Sequence, residues 1–328
     1  MRNYIIKRII ISVGILFFVT LIIYTLMRSL PASYVEQMAI QLAAAPGSKP
    51  YQQWLDELNA AYGLDRPILV GYIGWLKEFV TGSFGDSWKF TVPVVTQFKK
   101  VIGVSFILGA LSLILELLIA IPLGIIAATK QYSRTDYAIS AGALVGISLP
   151  TFFFATILKL VFAVRLGWFD THGLVGRNYA QLDRMGQILD MAHHMVLPLV
   201  TLTIISVGGL MRYTRTNMLE VLNADYIRTA RAKGLDEGKV IYHHAFRNTL
   251  IPLVTIVGGS LPGLFSGALI TETLFSIPGI GYTSYQAMTA GDIPFTMFYL
   301  TFIAILTLSG NLLSDVLYGV VDPRVRLS

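Results

Sequence analysis

The 328-residue chain contains no cysteine, which excludes disulfides, thiolate metal ligands and a nucleophilic thiol. Charge is scarce. Asp, Glu, Lys and Arg make up 13 % of the residues, about half the ~25 % share of ordinary globular chains. Histidine occurs five times, as His172 and the pairs His193–His194 and His243–His244. Neighbouring histidines point to different faces of a helix, and no H-E-x-x-H spacing is present to align two of them. They read as loop and interface residues, with no metal site expected. The G-x-x-x-x-G-K-[ST] loop that cradles nucleotide phosphates is missing. Its nearest approach, Gly234 to Val240, has the wrong spacing and puts valine where a hydroxyl would hold magnesium. No serine sits in a G-x-S-x-G turn. The chain therefore reads as no enzyme, with no catalytic residues and no cofactor of its own.

What the sequence has in abundance is apolar surface. Hydrophobic residues make up 54 % of it, and the mean hydropathy is +0.64. A soluble domain leaves too much of its chain on the surface to hide that share, and disordered chains have the opposite composition. Six stretches approach the ~20 apolar residues that a helix needs to cross the hydrocarbon core. They are Ile9–Met27, Val101–Thr129, Tyr137–Val164, Met195–Met211, Thr249–Thr271 and Ile293–Ser314. The first follows Arg2, Lys7 and Arg8 and so resembles a signal peptide, but its apolar core exceeds the usual 7–15 residues of a signal. The reading is an all-α membrane protein with six spanning helices.

Lysine and arginine set the orientation. With both termini in the cytoplasm, fourteen of them fall inside and ten outside. Seven of the outer ten lie in one long segment, which carries little weight. The short loops decide: Leu274–Asp292 has no basic residue, whereas Arg212–Arg247 has seven. All four tryptophans then fall on the outer side, where amphipathic rings favour the headgroup region. Residues 1–30 form the N-terminal end and first span, and residues 31–100 an extracytoplasmic insertion. Residues 101–328 form the core, with a cytoplasmic loop at 213–248. In the insertion, Tyr51–Tyr62 and Ile68–Val80 have helical, amphipathic patterns separated by Leu64-Asp65-Arg66-Pro67. A small packed helical subdomain is expected there.

Within the spans, Glu116 stands near the middle of the second and Lys159 near the outer end of the third. An ionisable residue at membrane depth is costly and marks a functional candidate, so Glu116 is a candidate pathway-lining residue and Lys159 is expected to snorkel outward. Glu272 and Asp315 are expected at the membrane interface. Gly258, Gly259, Gly263 and Gly267 form a small-residue stripe for close helix packing, on a span that Pro252 and Pro262 should bend.

The cytoplasmic loop is the most informative segment. Met218–Lys233 favours helix, Gly234 suits the left-handed residue just past a helix end, and Leu235 supplies the apolar contact that follows it. Asp236 can cap a second helix from Glu237. The result is a helix–turn–helix corner with small residues Ala230, Ala232 and Gly234, where another protein can approach the backbone closely.

The run from Ala224-Asp225-Tyr226 through Ala230-Arg231-Ala232-Lys233-Gly234-Leu235 resembles the EAA loop of ABC importer permeases, in the form found in peptide and nickel permeases. Phe246 to Pro252, Ile277-Pro278-Gly279-Ile280-Gly281 and the tail from Asp315 to Gly319 and Asp322 to Arg324 match the same subfamily. The resemblance covers essentially the whole chain. Arg228, Thr229 and Ala230 replace the Glu-Ala-Ala of the general pattern, and Pro252 is displaced from its usual distance, both as is usual in the peptide subclass.

The resemblance implies a type I importer fold and a B-type permease for oligopeptides or dipeptides. It implies a second homologous permease subunit, two cytoplasmic ATPases carrying ATP and magnesium, and an extracytoplasmic peptide-binding protein. The setting is the cell membrane and its lipid, without nucleic acid. It also implies that Tyr226, Ala230, Ala232, Gly234, Leu235 and Asp236 couple the ATPases to the bundle. Nickel, glutathione or opines are alternative cargoes. A secondary transporter would need paired charges at midplane, and only Glu116 qualifies.

With no native cysteine, introduced thiols test the orientation without background. Ser83→Cys and Ser284→Cys are expected to react with an impermeant thiol reagent in intact cells, and Ser328→Cys is not. Labelling of Ser328→Cys from outside would reverse the assignment.

Overall fold

In lipid, a backbone can satisfy its N–H and C=O groups only within a helix or a closed barrel, so long apolar runs become long helices. The computed structural model describes residues 2–29, 34–260 and 262–321. Among the described residues the fold is all-helical, with only an isolated bridge between Asp86 and Pro93. Four helices are long and apolar enough to cross a membrane: α1 (Arg2–Arg28), α5 (Val94–Thr129), α8 (Arg184–Leu222) and α14 (Ile293–Val321). On α1, Ile10, Val13, Phe18, Ile22 and Leu26 are exposed, as a lipid-facing surface requires. The short fourth stretch merges with both flanks into α8, whose 39 residues reach ~58 Å at 1.5 Å per residue and so extend past the hydrocarbon.

The two remaining stretches are not straight spans. Tyr137–Val164 divides into α6 (Arg134–Ser148) and α7 (Thr151–Leu158), the latter continuing to Arg165 as a wider π-helix. The two arms meet at 102°. Pro150 causes the break: it has no N–H to donate, and it holds Leu149 in an extended conformation. Thr249–Thr271 divides into α10 (Arg247–Ser260), α11 (Gly263–Ser266) and α12 (Leu269–Phe275). Pro262 precedes α11, and Gly267, at φ +78°, turns the chain between α11 and α12. The bend expected at Pro262 is therefore a full interruption, whereas Pro252 lies within the continuous α10. Counting the bent pair as one span gives five. The tail Asp322–Arg324, the side chain of Asp315 and the Ser328 probe site lie outside the described residues.

The segment between α1 and α5 carries α2 (Tyr34–Ala43), α3 (Tyr51–Ala61) and α4 (Ile68–Thr81), and it is packed. Buried Tyr72 of α4 sends its hydroxyl to the Phe17 carbonyl (3.0 Å) and lies 2.9 Å from Thr20 Oγ1. Arg28 at the end of α1 donates to the Leu64 and Arg66 carbonyls at 2.7 and 3.0 Å. A run of ring contacts from Trp75 through Phe79 and Phe84 reaches Phe298 of α14. One expectation fails in detail. The exposed side of α4 is apolar, with Leu69, Val70, Ile73 and Val80 more than half exposed, a surface suited to lipid rather than water.

The glycine stripe of the fifth stretch is close-packed at Gly267, where a Cβ would stand 2.5 Å from the Gly281 N, but not at Gly263. A Cβ on Gly263 would meet nothing within 4 Å. Close approach also occurs along α8. A Cβ on Gly208 would stand 2.6 Å from the Ala143 carbonyl of α6, and one on Gly124 of α5 would stand 2.6 Å from Thr214 Cβ. Sequence spacing marks which glycines share a face; only the neighbours decide which face is crowded.

After Phe275 come α13 (Ile280–Thr289) and α14. Ser284 of α13 is buried, so a thiol there would be shielded, and exposed Thr289 on the same helix is the better labelling position.

Gly208→Val is expected to lower the melting temperature of the purified protein, by overpacking worth ~1–3 kcal/mol, while Gly263→Ala leaves it within error. Equal melting of the two variants would refute the assignment of close packing to α8.

Candidate functional site

The corner forms at the end of α8, but not as one helix from Met218 to Lys233. α8 stops at Leu222, and Asn223 turns its side-chain amide back to the Leu219 carbonyl at 2.9 Å. Ala224 is extended, and a separate helix, α9 (Asp225–Ala232), follows. The reason is local: the Asn223 side chain offers a bond that competes with helix continuation.

The turn after α9 forms as the sequence indicates. Gly234 has φ +73°. Its N–H donates to the Arg231 carbonyl (2.9 Å), and the Leu235 N–H donates to the Ala230 carbonyl (3.4 Å). This is the paired bonding of a Schellman end, which favours glycine at the left-handed position. Asp236 caps the next helix by accepting from the Gly238 N–H at 2.9 Å. That helix runs from Glu237 through a π-helical stretch, Lys239–Phe246, into α10. Across the turn, Arg231 makes two bonds to Glu237, at 2.6 and 3.1 Å. The guanidinium holds the Glu237 carboxyl below its ordinary range.

The six corner candidates do not all face outward. Tyr226, Ala232, Gly234, Leu235 and Asp236 are exposed. Ala230 is buried and, with Ile227, packs against Ile125 and Ala128 of α5, Met218 of α8, and Val240 and Ala245. α9 is thus a small amphipathic lever. Its inner face is plugged into the ends of three long elements, and its outer face is open. A Cβ on Gly234 would meet nothing within 4 Å, so the bare backbone there faces free space.

Glu116 is half-buried and has no hydrogen bond or ion pair among the described residues. It lines a cavity of about 190 Å³ with Ser112, Ser206, Ser260 and Leu264. The lining of that cavity includes Ser105 and Ala268, which lead to a fully buried acid.

That acid is Glu272, and its position corrects the expectation of interfacial placement. It is fully buried. Oε1 accepts from Ser105 Oγ (2.6 Å) and the Ala268 N–H (3.1 Å), and Oε2 accepts from the Tyr282 N–H (2.9 Å). Ser105 Oγ in turn accepts from the Ile280 N–H at 2.7 Å. The carboxylate sits at the N-terminus of α13, where free N–H groups favour negative charge. A Cβ on Gly279 would stand 2.5 Å from both Glu272 Oε2 and Ser105 Oγ, so the Ile277-Pro278-Gly279-Ile280-Gly281 run is shaped to wrap this side chain. Lys159 does not snorkel. Its ammonium donates to the Leu274 carbonyl at 2.7 Å and so caps α12.

Two further polar groupings escaped the sequence. Asp136 is buried, takes two bonds of 2.7 Å from Arg215 of α8, and accepts from the Tyr132 N–H. Ser133, three residues before Asp136, signals the helix cap at this position, but nothing signals the partner 79 positions away. Asp170 reaches both His193 and His194, although neighbouring histidines do not share a helix face. The loop before α8 folds back and brings one carboxylate between the two rings.

A bundle of long apolar helices with an open corner at one end defines a multi-pass membrane protein, and the family it matches makes it a transport subunit. The chain belongs to the family described as binding-protein-dependent transport system inner membrane component, which matches residues 120–327, and the N-terminal counterpart of that family matches residues 1–118. It is a multi-pass ABC permease of the inner membrane, the membrane component of an importer. It is 36 % identical to the oligopeptide transport system permease protein AppB of Bacillus subtilis (strain 168), over 99 % of this chain and all of the relative. It is 33 % identical to the dipeptide transport system permease protein DppB of Escherichia coli (strain K12) and 32 % identical to the di/tripeptide permease DppB of Pseudomonas aeruginosa (strain UCBPP-PA14), in each case over 99 % of both chains.

Glu272→Gln is expected to destabilise the purified protein more than Ser105→Ala, because an amide N–H₂ would face donors and leave them without acceptors, at ~1–3 kcal/mol each. Thermal melting with intrinsic fluorescence checks the order. Equal melting of Glu272→Gln and the parent would remove the role assigned to the carboxylate.

Proposed function

We propose that the chain passes short peptides inward across the membrane, driven by ATPases that bind the outer face of α9. The peptide cargo rests on the relatives named above. The docking assignment rests on one observation: the exposed, side-chain-free turn at Gly234 stands directly over the plug formed by Ile227 and Ala230. Tyr226, Ala232, Gly234, Leu235 and Asp236 form the contact surface, and Ala230 anchors it from beneath. A push on α9 reaches α5, α8 and the helix leading into α10 at once, because all three share that plug. Closure of two ATPases on ATP gives the differential contact between states that makes docking into coupling.

In this reading the corner and both termini are cytoplasmic, and α2–α4 with the α13 side lie outside. The bundle pairs with a second, related permease and receives cargo from a binding protein. ATP and magnesium stay on the ATPases, since the chain has no phosphate cradle. Glu116, with its small serine-lined cavity, lines the pathway. Nickel, glutathione or opines would use the same machinery.

The test is uptake in proteoliposomes holding the complete transporter, with ATP inside or absent. Peptide uptake is expected only with ATP, and uptake on an ion gradient without nucleotide would sink the proposal. The variant Gly234→Asp adds ~1–2 kcal/mol of left-handed strain and a side chain in the docking space. It is expected to abolish uptake while the subunit still inserts, whereas Lys239→Ala, a solvated charge, has a mild effect. Normal uptake by Gly234→Asp at normal membrane levels would move the ATPase contact elsewhere.

A further inference from the structure

At the opposite end of α8 from the corner, three side chains converge that the transport reading does not use. Asp170 lies in the loop between the π-helical end of α7 and α8, and His193 and His194 stand early on α8. Donor atoms of the three lie within 4.8 Å of one another. His194 Nε2 is 3.2 Å from Asp170 Oδ2, and His193 Nδ1 is 4.0 Å from the same oxygen.

The second nitrogen of each ring decides what can sit between them. His193 Nε2 is 3.0 Å from the Trp168 carbonyl, and His194 Nδ1 is 2.7 Å from the Asp190 carbonyl. A carbonyl oxygen only accepts, so each of these nitrogens carries the hydrogen. In the neutral rings, His193 Nδ1 and His194 Nε2 then present lone pairs. Two lone pairs and a carboxylate oxygen face one another, an arrangement that calls for a cation between them. A ring N–H donated to a backbone carbonyl is also the arrangement that orients histidine for metal ligation. The surroundings fix it further. The Asp190 carboxylate accepts from the Gly176 N–H at 2.8 Å, and Phe169 stacks on His193 with centroids 4.8 Å apart.

We propose that Asp170, His193 and His194 bind a divalent transition metal of the zinc type. Two imidazoles and a carboxylate suit zinc, copper or nickel rather than magnesium or calcium. Zinc takes nitrogen and oxygen at ~2.0–2.2 Å with an open fourth position for water. The rings must close by about an ångström to reach that geometry, and the two half-exposed members, His193 and Asp170, have the freedom to do so. His194, with a 2 % exposed side chain, is the preformed ligand. The bound ion would clamp the 166–178 loop to α8. That loop already reaches α12, because the Gly173 N–H donates to the Phe275 carbonyl at its end (2.8 Å). The inference does not depend on the cargo or on the ATPase contact.

The experiment uses the full chain in lipid nanodiscs, purified without a polyhistidine tag, and titrates zinc against a chromophoric chelator. One zinc per chain is expected, and zinc is expected to raise the melting temperature, since a ligand of the folded state stabilises it. His194→Gln, His193→Gln and Asp170→Asn should each weaken binding at least about tenfold, because even outer partners of a metal site are worth 10–100-fold. The paired change His243→Gln and His244→Gln should leave binding unchanged. His193→Gln, an exposed ring, keeps the test valid if His194→Gln fails to fold. Absence of binding to the parent chain would overturn the site and leave a shared proton as its occupant. So would undiminished binding in His193→Gln and Asp170→Asn, or loss in the His243 and His244 variant.

Discussion

A carboxylate sealed inside an apolar bundle must be matched donor by donor, and Glu272 sets this condition for the centre of the molecule. Its oxygens take a serine hydroxyl from α5, a backbone N–H at the start of α12 and another at the start of α13. Three helices therefore cannot separate without stranding a buried charge or its donors, which in hydrocarbon have no water to turn to. The chain accommodates the carboxylate with glycine. Gly279 and Gly281 leave the space that a Cβ would fill, and Gly267 turns at φ +78° so that α11 and α12 meet at the right angle. Lys159 and Gly173 cap the other end of α12. The short helix is thus held at both ends by polar bonds and is suited to move as a unit.

The corner obeys the opposite rule. At Glu272 both carboxylate oxygens are paired inside the chain. At Gly234 the backbone is left open, and only the inner face of α9 is committed. Ile227 and Ala230 bury against α5, α8 and the helix leading into α10. α8 joins the two regions as one continuous helix, crowded against α6 at Gly208 and against α5 opposite Gly124. Force applied at one end has a stiff, close-packed path, because packed helices shift as bodies rather than deform.

Much of this was legible residue by residue. The Schellman turn followed from Gly234 with Leu235 behind it, and the cap from Asp236, because both are local bonds within five residues. The long helices followed from uninterrupted apolar runs. Helix breaks were half legible: Pro262 announces a disturbance, but a bend and a full interruption use the same residue, and the apolar run Tyr137–Val164 reads as one span straight through Pro150. Met218–Lys233 misled because helix propensity is a weak prior, and Asn223 spent its side chain on the preceding turn.

The sequence by itself determined that the chain is helical, that it lives in a bilayer, where its corner lies and to which family the corner belongs. These follow from composition and from short-range bonding, which need no knowledge of neighbours. Tertiary structure alone decided that Glu272 is a buried lock and not an interfacial charge, and that Ala230 faces inward. It alone placed the close packing at Gly208 and brought Asp170 to two adjacent histidines. Each of these depends on a partner many positions away, 167 in the case of Ser105 and Glu272. The free energy of a charge or a glycine in a bundle is set by what packs against it, which no local pattern records.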